Sequence, residues 1–280
     1  MAVTRRQKPS RSIHGTPPAP VVNIAERRSK REALQPGRKT SVFLAVPTLN
    51  GFTHFSTAMA FGRAMASTMV PECPFQFGIH VEPGKRPIDY GRNAIVATFL
   101  DQTDADWLLM WDDDEGVPDN FWQLCTVSDA DVVGGLVPVW VGHMDAEAML
   151  RVNNYGVDAQ GRCYNLPAPP ESVTQPYLVP VVGTGAIAIR RRVFAPPPAG
   201  VGRHPFRFTY DETGRVLAGE DVNFSVACQR VGFRLAVHPQ VRFDHVKPLQ
   251  LSQVKQYHEA AMALVQSGKS TTDTQRLSLG

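Results

Sequence analysis

The chain reads as an α/β protein: a mostly parallel central sheet flanked by helices, in one domain behind a basic N-terminal arm. Two observations predict this. Short apolar, β-rich runs alternate with segments of helical spacing from residue 41 onward, and parallel strands need such crossover connections. The charge is also unevenly divided: residues 1–40 hold ten Lys/Arg against two Asp/Glu, a net of +8, and the other 240 residues carry a net of −5 within a total of +3.

The first strand is Ser41-Val-Phe-Leu-Ala-Val46, ended by Pro47. A helix over residues 56–69 follows, then a strand over 75–81 and a helix over 92–101 with Ala94, Ile95, Ala97, Phe99 and Leu100 as its apolar residues. Trp107-Leu-Leu-Met-Trp111 is a third strand, stopped by acids, and Pro118 starts a helix running to about Thr126. Residues 131–137 form a fourth strand. From Pro138 to Phe208 the chain is rich in proline, with a β-like stretch over 178–189. Residues 219–231 have helical spacing, 233–237 are strand-like, and a last helix spans about 251–265. Ligands of such sheets sit beyond the carboxyl ends of the strands.

Composition removes several function classes. Apolar residues at 43% and charged residues at 20% are globular values. The four cysteines (Cys73, Cys125, Cys163, Cys228) include no pair at zinc-ribbon or redox spacing, so a reduced, cytoplasmic protein is expected. Charge-free stretches near 132–142 and 178–189 are too short to span a bilayer, and no apolar run before Ser41 resembles a secretory signal. Residues 1–40, with five prolines and few large apolar groups, are expected to be a disordered arm, either merely solvated or drawn to phosphates. Residues 41–266 then form the folded domain and 267–280 a flexible tail.

Asp112-Asp113-Asp114-Glu115 follows the third strand. Carboxylates crowded there repel one another unless a cation or hydrogen-bond donors compensate, and Mg²⁺ takes one or two carboxylates together with substrate phosphates. The same acids also suit a turn capping the helix at Pro118, with Glu115 and Asp119 near its N-terminal dipole. An EF-hand does not fit, because Val117 and Gln123 stand where its Gly and bidentate Glu belong. Glu220 and Asp221 open a later helix, as N-caps or as a general base. His245, in a polar break after a strand, is either structural or an imidazole that joins Asp carboxylates around Mn²⁺. Gly183-x-Gly185-x-x-Ala188 is not a dinucleotide fingerprint, because a strand rather than a helix follows it.

Taken in order, these segments resemble the family 2 glycosyltransferases of GT-A fold. The matching stretches are Ala45-Val-Pro-Thr-Leu-Asn50, Gly91-Arg-Asn93 before a helix, Trp107 to Asp114 as a strand plus DxD motif, Gly183 to Arg191, Gly219-Glu-Asp221 and Val241-Arg-Phe-Asp-His245. The resemblance covers residues 41–248. It implies that Pro47, Thr48, Asn50, Arg92, Asp112 and Asp113 bind the donor nucleotide, that Asp114 and His245 bind Mn²⁺ or Mg²⁺, and that Asp221 is the catalytic base with Glu220 beside it at the acceptor. The implied partners are a nucleoside diphosphate sugar and a hydroxyl acceptor, whether glycan, small molecule or modified DNA base, and the implied outcome is inversion. The Pro-rich segment between the DxD and ED motifs departs from polysaccharide synthases and favours single addition. A nucleotidyltransferase of related fold, or a nucleic-acid-binding protein acting through the basic arm, remains the alternative.

Overall fold

The computed structural model describes residues 38–84, 87–141, 149–160 and 162–246. The expected basic arm (except residues 38–40), the helix near 251–265 and the tail from 267 lie outside them. The chain divides into Met1–Arg38 and Lys39–Gly280, and every element below belongs to the second unit.

Strands β1 (Thr40–Thr48) and β2 (Phe75–Pro83) are joined by helix α1 (Phe55–Thr68), and helix α2 (Ile88–Gln102) leads to β3 (Trp107–Trp111). After the two-residue β4 (Glu115–Gly116) comes a 3-10 helix, Phe121–Thr126, where the sequence predicts an α-helix, and then β5 (Val132–Leu136). Six residues between two chain reversals accommodate the tighter helix more readily than a full α-helix. The proline-rich segment supplies two ribbons, β6 (Pro138–Val141) with β7 (Met149–Val152) and β8 (Tyr155–Val157) with β9 (Cys163–Asn165). It also contains β10 (Tyr177–Leu178) and β11 (Ala186–Arg190). The remainder comprises the small hairpin β12 (Thr209–Tyr210) and β13 (Val216–Ala218), helix α3 (Glu220–Val231), β14 (Leu235–Arg242) and β15 (Asp244–His245).

Seven strands make the central sheet, in the order β10-β14-β5-β11-β3-β1-β2. The pairs β1–β2, β1–β3 and β5–β14 are parallel, whereas β11 is antiparallel to both β3 and β5, and β10 is antiparallel to β14. Five of the seven strands therefore run in one direction. The single β-like stretch read over 178–189 is in fact two strands, one at the sheet edge and one at its centre.

Side chains of β1 alternate between two apolar layers, as the period-2 pleat requires. Val42, Leu44 and Val46 pack with Leu109, Trp111 and Phe121 and with the α1 residues Ala60 and Ala64. Phe43 and Ala45 face the other layer, with Leu108, Met110, Ile187 and Ile189, against Ile95, Val96 and Phe99 of α2 and Phe224 and Cys228 of α3. Helix α3 stops at Gly232, whose φ of 92° is left-handed, and Phe233 N–H closes back on the Cys228 carbonyl. No helix among the described residues is long and apolar enough to cross a membrane.

Candidate metal and substrate site

The parallel strands β1 and β3 deliver their carboxyl ends to one rim of the sheet, and the acidic run 112–115 begins there. Asp112 N–H donates to the Gly185 carbonyl just before β11. The Asp113 carboxylate accepts from Leu49 N–H at 3.3 Å, tying the run to the end of β1.

Glu115 is buried, at 1% exposure. It lies in β4, which pairs with β15 so that His245 stands opposite Glu115. The helix-capping reading of Glu115 is thereby replaced, since it sits in a strand and the element after Pro118 is a 3-10 helix that begins at Phe121. Ligand atoms of Asp114, Glu115 and His245 lie within 4.8 Å of one another. His245 Nδ1 is 3.0 Å from the Pro138 carbonyl, which only accepts, so Nδ1 carries the proton and donates. Nε2 then presents its lone pair toward the Asp114 carboxylate, 3.4 Å away. An imidazole oriented through its far N–H is the usual support of a metal-binding histidine, and two carboxylates with one imidazole suit Mn²⁺ or Mg²⁺. The sequence points to Asp114 and His245 as candidate metal ligands and does not place Glu115 beside them, because its partner strand is well over a hundred residues away.

Arg92 lies within α2, which begins a turn earlier than helical spacing suggests. It shares the inward stripe with Ile95, Val96 and Phe99, at i, i+3, i+4 and i+7. Its guanidinium is 3% exposed and bridges Asp112 at 2.6 Å and Glu220 at 2.5 Å. Thr184 donates its hydroxyl to the same Glu220 oxygen at 3.0 Å. Asp221 accepts from Val222 N–H at 2.7 Å, and the Tyr155 hydroxyl beside it favours its ionised form. Burial, and then the neighbouring Glu220, push the Asp221 carboxyl above the usual carboxylate range. Tyr155 carries no sequence signal that singles it out, and Thr184 lies within the matching Gly183–Arg191 stretch, which gives it no particular role.

Two cavities meet at this rim. The larger, of about 690 Å³, is lined by Pro47, Thr48, Leu49, Asp112, Asp113, Asp114, Phe208 and His245 among others. The smaller, of about 280 Å³, is lined by Arg92, Asn153, Thr184, Glu220, Asp221 and Glu115 among others, and shares Ile88, Asp112 and His245 with the first. Asn50 is exposed and uses its side-chain oxygen to accept from Phe52 N–H; it is not a lining residue of either cavity.

No protein-family model matches the chain, and no curated protein is matched in sequence. Among solved structures, the crystal structure of GalNAc-T7 with UDP, GalNAc and Mn²⁺ is similar at 15% identity and a TM-score of 0.46, over 75% of this chain and 44% of that one. A197 from STIV is similar at 14% identity and a TM-score of 0.37, over 75% of this chain and 98% of that one. The chain thus spans less than half the length of the first of these proteins. The functional case rests on the site itself.

Proposed function

We propose that the protein is a GT-A-type glycosyltransferase of the cytoplasm that moves one sugar from a nucleoside diphosphate sugar to a hydroxyl acceptor, with inversion. The observation that carries the proposal is the Asp114–Glu115–His245 cluster at the boundary of two cavities, with a second acidic pair, Glu220 and Asp221, in the smaller one. In this reading the larger cavity takes the nucleoside diphosphate, against Pro47, Thr48, Asp112 and Asp113. Asn50 stands at the loop beyond β1, and Arg92 acts on the donor side through Asp112.

Asp114, Glu115 and His245 would hold Mn²⁺ or Mg²⁺, which when bound supplies positive charge against the departing diphosphate. Asp221 takes the proton of the acceptor hydroxyl as its oxygen bonds to the anomeric carbon and the bond to the diphosphate breaks. Its raised affinity for a proton suits that work. Glu220, pinned by Arg92 and Thr184, keeps Asp221 at the start of α3 in place.

A thermal-shift screen of nucleoside diphosphate sugars with and without Mn²⁺ tests the reading, because a ligand of the folded state raises its melting temperature. A donor should stabilise the wild-type protein only with metal, and D114A should abolish that dependence. D221N should bind the same donor and release no nucleoside diphosphate in the presence of acceptor. Release of pyrophosphate instead, or full turnover by folded D114A, would overturn the proposal.

A further inference from the structure

The smaller cavity contains a polar group that the transfer chemistry leaves unused. Asn153, at 8% exposure, lines this cavity. Its side-chain amide forms no hydrogen bond among the described residues, and Oδ1 is buried without a partner. The backbone N–H, by contrast, is engaged by the Val137 carbonyl. Buried amides are nearly always satisfied, so a primary amide left open at a cavity is matched to something that enters it.

The chain is shaped to keep that amide in place. A Cβ on Gly183 would collide with the Asn153 carbonyl oxygen and stand 2.7 Å from its amide group. A Cβ on Gly185 would stand 2.9 Å from Asn153 Nδ2 and 3.2 Å from Glu115 Oε1. The two glycines of Gly183-Thr184-Gly185 thus make room for the amide and for the carboxylate beside it.

The charges around the cavity narrow the ligand further. Asp112, Glu115, Glu220 and Asp221 line it, and the one Lys/Arg among the described lining residues, Arg92, is already held by Asp112 and Glu220. Recognition of a carboxylate commonly uses an open Arg fork, and the described lining residues supply none. A neutral hydroxyl both donates and accepts, as does the amide.

We infer that Asn153 is the specificity-determining residue of the smaller cavity and hydrogen-bonds a hydroxyl of an uncharged sugar, to the exclusion of uronic acids. The inference rests on the transferase reading for the role of that sugar, but its test does not depend on turnover. Saturation-transfer NMR with millimolar glucose, galactose, mannose, N-acetylglucosamine and glucuronate should show at least one neutral sugar bound by the wild-type protein and no binding of glucuronate. N153A and the near-isosteric N153L should bind the neutral sugar at least about fivefold more weakly, the effect of losing one hydrogen bond. Both should keep the wild-type thermal shift with nucleoside diphosphate and Mn²⁺, a readout that a merely structural role of Asn153 would move.

Equal sugar affinity in both variants, binding of glucuronate as tight as that of the neutral sugars, or no sugar binding by the wild-type protein would overturn the inference. Failure of the wild-type protein to bind nucleotide and metal, with sugar binding retained, would instead count against the transferase reading and leave the role of Asn153 standing.

Discussion

Replacing Arg92 by Met removes one positive charge and keeps most of the aliphatic bulk. It strands Asp112 and Glu220, which the guanidinium bridges at 2.6 and 2.5 Å. Breaking a buried pair from one side costs about 3–5 kcal/mol, because the remaining charge has no partner. The Asp112 side chain keeps 29% of its surface exposed, against 10% for Glu220, so solvent relieves one of the two stranded groups and the lower end applies. At roughly 2–4 °C per kcal/mol for a body of this size, R92M should melt about 6–12 °C below wild type at pH 7. Circular dichroism melts measure this directly. The deficit should shrink as pH falls, since protonation removes the stranded charges, and R92M/D112N/E220Q should recover most of it. A single variant melting within about 1 °C of wild type would show that Arg92 does not hold this site together.

Removing the Tyr155 hydroxyl takes away a neighbour that favours ionised Asp221, so Y155F should raise the Asp221 pKa further. A base works only when ionised, and the acid limb of the rate profile should therefore move to higher pH; an unmoved limb would separate Tyr155 from the reaction. Gly183→Ala drives a Cβ into the Asn153 carbonyl oxygen and should cost about 3 kcal/mol in urea denaturation. Gly62→Ala, in α1 with nothing within 4 Å of the added carbon, should stabilise by up to about 1 kcal/mol, and equal effects of the two substitutions would contradict the packing described.

Strand β3 is legible residue for residue because an apolar run of five is bounded by acids that cannot enter the core. The inward stripe of α2 is legible from helical spacing, although its first turn is not. What escapes are features set by distant partners. Glu115 looks like the fourth acid of an exposed turn until β15 arrives opposite it. Asn153 and Tyr155 lie in a proline-rich stretch with no periodic pattern, and only the fold brings them to Gly183 and Asp221. The continuous β-like run from Leu178 conceals two strands because Pro180 and the glycines at 183 and 185 break it between them.

The antiparallel strand β11 has a consequence for how the chain assembles during synthesis. It alone joins β3 to β5, so until residue 190 leaves the ribosome the sheet exists as separate pieces with open inner edges. Such edges invite pairing with other chains, and contacts this far apart in sequence form late. The strand that seals them begins directly after Gly183-Thr184-Gly185, the turn that packs on Asn153 and supplies the Thr184 hydroxyl to Glu220. A nascent chain therefore joins β3 to β5 and sets the Gly183–Gly185 turn in the same event, before Glu220 and β14 follow, and a chain halted before Ala186 has neither the join nor the strand that fixes the turn.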